Sequence, residues 1–402
     1  MNRSRRNGAR PRISPVEKPR VWQETCQSLH SPIKRVLQLG SVVIIWMSGL
    51  SGVGPVLSCE LSVGRESQNV VYVRHLGADC SALEREQQAV ASQDLLRALK
   101  DGQGVDLQGV LVTGDLSLDA VPVASDEQMR KLPVAVRDWI ARQGTQDIRL
   151  VRGGIAIRDS TVRGSITHRS KQGYLLIEGP VTMAGTRFEG FQDWSRVIFL
   201  GPVDWSGAEF AREGFFVQDR FWHDATFDRT TFSGRSRFHR AHFQEAVSFR
   251  EATFNGLAEL LEVTFQGPAR FAGARFTQGS GFSGSHFHSV ADFSRSLFER
   301  EVYFMFTVFE QPALFRGAGF RSVNSYADAE FNGTGDFSTA VFEQAPEFMR
   351  TKFKGERLLP SSGSASWPVY LPVYLVAAVA VIFTLLILKQ TYRSRSPSSR
   401  NG

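Results

Sequence analysis

Histidines come close together twice in this 402-residue chain, as His239 with His242 and as His286 with His288. Residues two apart on a strand point the same way, a geometry that can chelate a metal. The sequence sets no carboxylate or cysteine at a recurring distance from either pair, so a solvated surface is expected there. Arg235, Arg237, Arg240 and Arg250 form a local basic patch of the kind that meets acidic polymers or phosphate. Glu245 and Glu251 stand beside it in sequence and are expected to offset it. Sugar cleavage needs a pair of carboxylates, yet Asp204, Asp224, Asp292, Asp328 and Asp336 are scattered singly. The nucleophile elbow GxSxG, the zinc motif HExxH and the phosphate loop GxxxxGK[ST] are missing. These residues predict no enzyme, no cofactor and no metal.

The three cysteines, Cys26, Cys59 and Cys80, are too few for a disulfide scaffold and do not have zinc spacing. Cys59 and Cys80 are candidates for one disulfide if both lie outside the cytoplasm. Val56-Leu57-Ser58-Cys59 also resembles a bacterial lipobox, which makes Cys59 a candidate for lipidation.

The elements that must carry these residues follow from one beat. From Met183 to Phe353 a large apolar residue, almost always Phe, recurs at steps of five and six. A helix needs apolar steps of three and four, and a strand needs alternation. An 11-residue apolar period also suits a right-handed coiled coil. Gly, Ser, Thr and Pro between the rings exclude it, because helix formers are sparse. The position two before each ring is small, as at Ala225, Ala241, Ala252, Ala274, Ala291 and Ala318. On an extended segment both side chains point one way, so each unit sends one small and one large residue inward and then turns. A fixed period of this kind means stacked repeats.

Units such as Phe315-Arg-Gly-Ala-Gly-Phe320 resemble the Phe-centred class of pentapeptide-repeat proteins. The resemblance covers residues 148 to 353, and weakly 105 to 118. It implies an all-β fold, a right-handed quadrilateral parallel β-helix whose central Phe and small residues line the interior. Four units make a 22-residue coil. Equivalent rings then stack as Phe227, Phe249, Phe271, Phe293, Phe315 and Phe337, and as Phe232, Phe254, Phe276, Phe298, Phe320 and Phe342. Stacked strands lie ~4.8 Å apart, so roughly eight coils span on the order of 40 Å. Such a core leaves no room for a substrate tunnel.

The flanks divide as follows. Residues 1–35 are basic and polar and read as disordered. Residues 36–58 are apolar and read as a signal peptide, cleaved or not, or a signal anchor. Residues 59–104 form an N-terminal capping region. Within it Ser81 and Glu84 make a capping box for a helix over 81–100, with Leu83, Val90, Leu95 and Leu99 on one face. That helix is expected to lid the first coil, because solenoid ends expose apolar surface. Residues 105–147 hold an early coil and a helical insertion, 148–356 the main β-helix, and 357–368 a linker. The uncharged stretch 369–388 is long enough for a transmembrane helix, with the basic tail 389–402 placed in the cytoplasm.

The formal charge is +7, from 47 basic and 40 acidic residues. The excess sits at the two termini, so it is assigned to topology and no nucleic-acid partner is expected. The reading is a non-enzymatic scaffold tethered to the cytoplasmic membrane, its repeat domain outside the cytoplasm. There it displays flat faces to a protein or envelope polymer. The resemblance admits a second function, since some members imitate DNA and protect a topoisomerase. Those are soluble and strongly acidic, unlike this chain. A β-helix glycan hydrolase is the third.

Overall fold

The computed structural model describes Cys59, residues 61–62, 71–145, 147–170 and 172–360. The expected disordered N-terminus at 1–35 and apolar segment 36–58 lie outside the described residues. So do the transmembrane stretch 369–388, the tail 389–402 and most of the 357–368 linker. Among the described residues no helix is long and apolar enough to cross a membrane.

Two-residue strands separated by corners wind into four sheets of 13, 11, 9 and 10 strands, taken in chain order around a coil. One coil of the regular region shows the plan. Val203–Asp204 lies on the first face, Glu209–Phe210 on the second, Gly214–Phe215 on the third and Arg220–Phe221 on the fourth. Each strand pairs in parallel with the one 22 residues on, as Phe210 with Phe232 and Phe221 with Phe243. The strands hold because every coil bonds to the next; a two-residue strand alone has no independent stability.

The rings fill the interior. Phe227, Phe249, Phe271, Phe293, Phe315 and Phe337 are all fully buried. Their centroids stack at 4.7, 5.0, 4.8, 5.1 and 4.5 Å. The second column, Phe232, Phe254, Phe276, Phe298, Phe320 and Phe342, stacks at 5.0, 4.7, 4.8, 5.1 and 4.8 Å. Neighbouring columns meet edge to face, as Phe238 meets Phe249 at 87°, the other favoured aromatic geometry. Two corners of each coil recur in the left-handed region. One series includes Gly207, Arg229, Glu251, Gly273, Arg295 and Gly317, and the other Gln218, Arg240, Glu262, Gly284, Phe306 and Asp328. Glycine takes this conformation without strain; at the other residues the coil-to-coil bonding enforces it.

Three expectations need correction. The helix expected over 81–100 is two helices, α1 (Ala82–Gln87) and α2 (Ser92–Lys100). Between them Val90–Ala91 pairs in parallel with Val112–Thr113. A rung of the β-helix thus takes the backbone where helix propensity would have continued. The Ser81–Glu84 capping box is present, but Leu83 is exposed and Val90 is buried in the rung. Leu95, Ala98 and Leu99 of α2 join the core that continues into the coils.

The region 59–104 is also more than a cap, because Val71–Leu76 pairs along Gly104–Gln108 as a further rung. At the other end, Arg357–Leu358 pairs with Gly335–Asp336, so the β-helix runs two residues into the stretch expected to be linker. With these additions the stack exceeds eight coils.

The insertion sits where the coil lengthens. Val105 pairs with Ile155, fifty residues on instead of twenty-two. The extra chain leaves at the corner between the third and fourth faces and forms α3 (Asp126–Lys131) and α4 (Val134–Gln143). Ser125 and Gln128 cap α3 reciprocally, and Gly144 ends α4 in the left-handed conformation. Val136 and Ile140 of α4 pack with Leu150, Leu176 and Ile198.

Candidate functional site

The fourth face explains the insertion. Its outward residues align from coil to coil as Leu150, Leu176, Ile198, Arg220, His242, Thr264 and His286. Three aliphatic residues in an outward column would expose apolar surface, and α4 covers them. The column turns polar at Arg220, where the cover ends.

At that boundary an open groove of about 710 Å³ runs between α4 and the fourth face. Arg220 lies at its base with its guanidinium carbon 5.2 Å from the Trp139 ring and 4.8 Å from the Trp222 ring. Trp139 also meets Tyr174 edge-on at 5.2 Å, and Arg196 lies 4.3 Å over Tyr174. Cation–π and edge-to-face aromatic contacts thus link five residues, Arg196, Tyr174, Trp139, Arg220 and Trp222, in one chain. Burial, with the Arg142 charge second, lowers the Arg220 pKa to about 10. Next in the column, burial and then the Arg220 charge lower His242 to about 4, so His242 is neutral at physiological pH. Asp138 and Glu245 line the same groove.

The histidine pairs resolve differently. His239 and His242 part: His242 lies on the fourth face, while His239 sits 3.9 Å from Glu259 and near Arg237. His286 and His288 do stay together, rings stacked at 3.8 Å, with His286 Nε2 2.9 Å from Glu310 Oε1. Carboxylates therefore do stand near both pairs, at 20 and 24 residues' distance, which a fixed-spacing search passes over. Among the described residues no group of three or more His, Cys, Asp or Glu has the arrangement to hold a metal ion.

The basic patch is paired away, by other carboxylates than expected. Arg237 Nε donates to Glu259 at 2.9 Å, Arg240 Nε to Glu262 at 2.7 Å and Arg250 Nη2 to Asp228 at 2.8 Å. Each partner is one coil away, 22 residues in sequence, whereas Glu245 and Glu251 form no ion pair with these arginines. Arg237 also lies 4.8 Å over Phe215, a ring outside the inward beat.

Cys59 and Cys80 are joined in a disulfide, their Cα atoms 4.8 Å apart. A sulfur in that bond has no valence left for a lipid thioether.

Sequence reasoning passed over Arg220, Trp139 and Trp222. Two signals were there: a Trp directly after the inward Phe221, and the run Leu150, Leu176, Ile198 at outward positions.

Compared with known families, the chain matches a model described as "Pentapeptide repeats (9 copies)" over three overlapping segments, residues 227–275, 238–285 and 249–297. No curated protein and no solved structure matches it. The family match and the 22-residue coil of four parallel sheets together support a pentapeptide-repeat protein.

Proposed function

We propose that this pentapeptide-repeat protein, of the Phe-centred class, is a non-enzymatic scaffold held at the cytoplasmic membrane by residues 369–388. Its β-helix stands outside the cytoplasm and presents its faces to a protein or envelope polymer. The interior carries this reading. Rings and small residues close it completely along the regular coils, so interaction is left to the outer faces, whose shape the stacked coils fix. Two further observations favour the location. A disulfide between Cys59 and Cys80 suits an oxidising compartment. The basic residues after the apolar stretch 369–388 suit a cytoplasmic tail. The topoisomerase-protecting reading needs a strongly acidic surface, and arginines paired coil to coil work against it.

Protease added to intact spheroplasts is the test. The β-helix is expected to be cleaved, or bound by an antibody to it, while a cytoplasmic marker stays protected. Protection of both would sink the extracytoplasmic reading. Crosslinking in intact membranes then identifies what the faces meet.

A further inference from the structure

We propose that the groove between α4 and the fourth face binds a peptide through its free C-terminal carboxylate, with Arg220 as the anchoring residue. The proposal names a ligand chemistry beyond rigid display, and rests on that reading only in needing this face accessible.

Among the described residues Arg220 shares its lack of an ion pair with Arg229, Arg270 and Arg295, and is set apart by a buried, unpartnered Nε beside two Trp rings. Arginines elsewhere on the β-helix repeatedly meet a carboxylate from a neighbouring coil: Arg237 with Glu259, Arg240 with Glu262, Arg250 with Asp228. Among the described residues Arg220 and Arg142 form no ion pair, although each charge is felt by the other. Among the described residues the only side-chain acceptor for Arg220 is Gln244 Oε1, at a long 3.4 Å. Its Nε is buried and has no partner among the described residues. Trp139 and Trp222 occupy the guanidinium, and such stacking leaves the edge with its Nη donors for a ligand. A planar edge with two parallel donors matches a carboxylate.

The rest of the groove selects among anions. Asp138 and Glu245 line it, and neither pairs with a cation among the described residues. Two carboxylates disfavour a polyanion such as a polyphosphate or a nucleic acid. They favour a ligand whose negative end is single and whose remainder carries amide or amino groups. Leu200, Val136 and the Trp rings supply the apolar wall for its side chains. The volume, about 710 Å³, is in the range of small-ligand sites and holds a few residues of a peptide.

The experiment uses the purified full-length chain in detergent micelles, with ¹⁵N-labelled tryptophan. The probe is a pool of random tripeptides with free C-termini, against the same pool amidated, and inorganic phosphate as a third arm. The expected result is a saturable shift of the Trp139 and Trp222 indole signals with the free-acid pool. It should weaken at least tenfold with the amidated pool and in Arg220→Met, while the Trp194 and Trp205 signals stay in place as a check on folding. Arg220→Lys, which keeps the charge and loses the planar fork, should weaken it as well. Equal binding of the amidated pool, tighter binding of phosphate, retention in a folded Arg220→Met chain, or no saturable shift with either pool would each overturn the proposal. None of these results bears on which side of the membrane the β-helix lies.

Discussion

Two stretches of one column are filled and covered differently. In the first coils the inward residues are aliphatic, Ile155, Ile157, Val162, Ile166 and Ile177, and one outer face is aliphatic as well. From Trp194 and Trp205 onward the interior is aromatic, and the outward column of the fourth face carries Arg220, His242, Thr264 and His286. In the first region the apolar outer face has helices over it. In the second the faces are bare, and charged side chains bond from coil to coil. A solenoid face is thus free only where its outward column is polar, and the place where cover gives way to bare surface is where the groove opens.

The difference predicts that two truncations to alanine, one in each region, spread their losses differently. Phe249→Ala removes a ring stacked between Phe227 and Phe271 at 4.7 and 5.0 Å. It should cost about 3–5 kcal/mol and strip hydrogen-exchange protection from the coils on either side, since each coil holds only its neighbours. Ile198→Ala cuts an outward side chain beneath α4. Its loss should be near the low end for such cuts, about 2 kcal/mol, and the lost protection should be confined to α3 and α4. If Ile198→Ala loosens the coils as widely as Phe249→Ala, cover and column do not behave as separable units.

What could be read from the sequence divides along the same line. Inward positions are legible because geometry leaves little choice: a residue facing the axis is either large and apolar or it is small. Outward positions depend on what lies one coil away, and 22 residues of separation hide that. Hence nearby glutamates look like the partners of Arg237, Arg240 and Arg250, and the stretch at Val90 reads as helix although Val112 claims it for a rung. The groove needs three separate things at once, the Trp139 on an inserted helix, the off-beat Trp222 and the unpaired Arg220, and only folding brings them together. Val71–Leu76 was missed for a simpler reason, since a single rung has no period to reveal it.

The smallest expected effect is a change of slope, at the boundary between the two regions. Two residues before Phe221, where Ala or Ser usually faces inward, stands Asp219, almost fully buried. Its Oδ1 accepts from the Val197 N–H at 2.9 Å, and its Oδ2 has no partner among the described residues. Burial pushes its pKa well above the usual carboxylate range, with the Asp193 charge adding to it. The folded chain then holds a proton that the unfolded chain releases near pH ~4. This favours the folded state fully below that pH, and the benefit is lost as pH rises through the folded value. The surface pairs run the other way. Hydrogen bonds from Arg350 and Lys352 hold Asp328 and Glu330 low, so their contribution is lost on acidification and is constant above pH ~5. Asp219→Asn keeps an acceptor for Val197 and has no charge to gain. Denaturant melts read at pH 5 to 8 should show the parent losing stability with rising pH and the variant losing less, the two curves converging toward pH 4. Parallel curves over that range would mean that the Asp219 carboxyl exchanges its proton no differently in the folded chain than in the unfolded one.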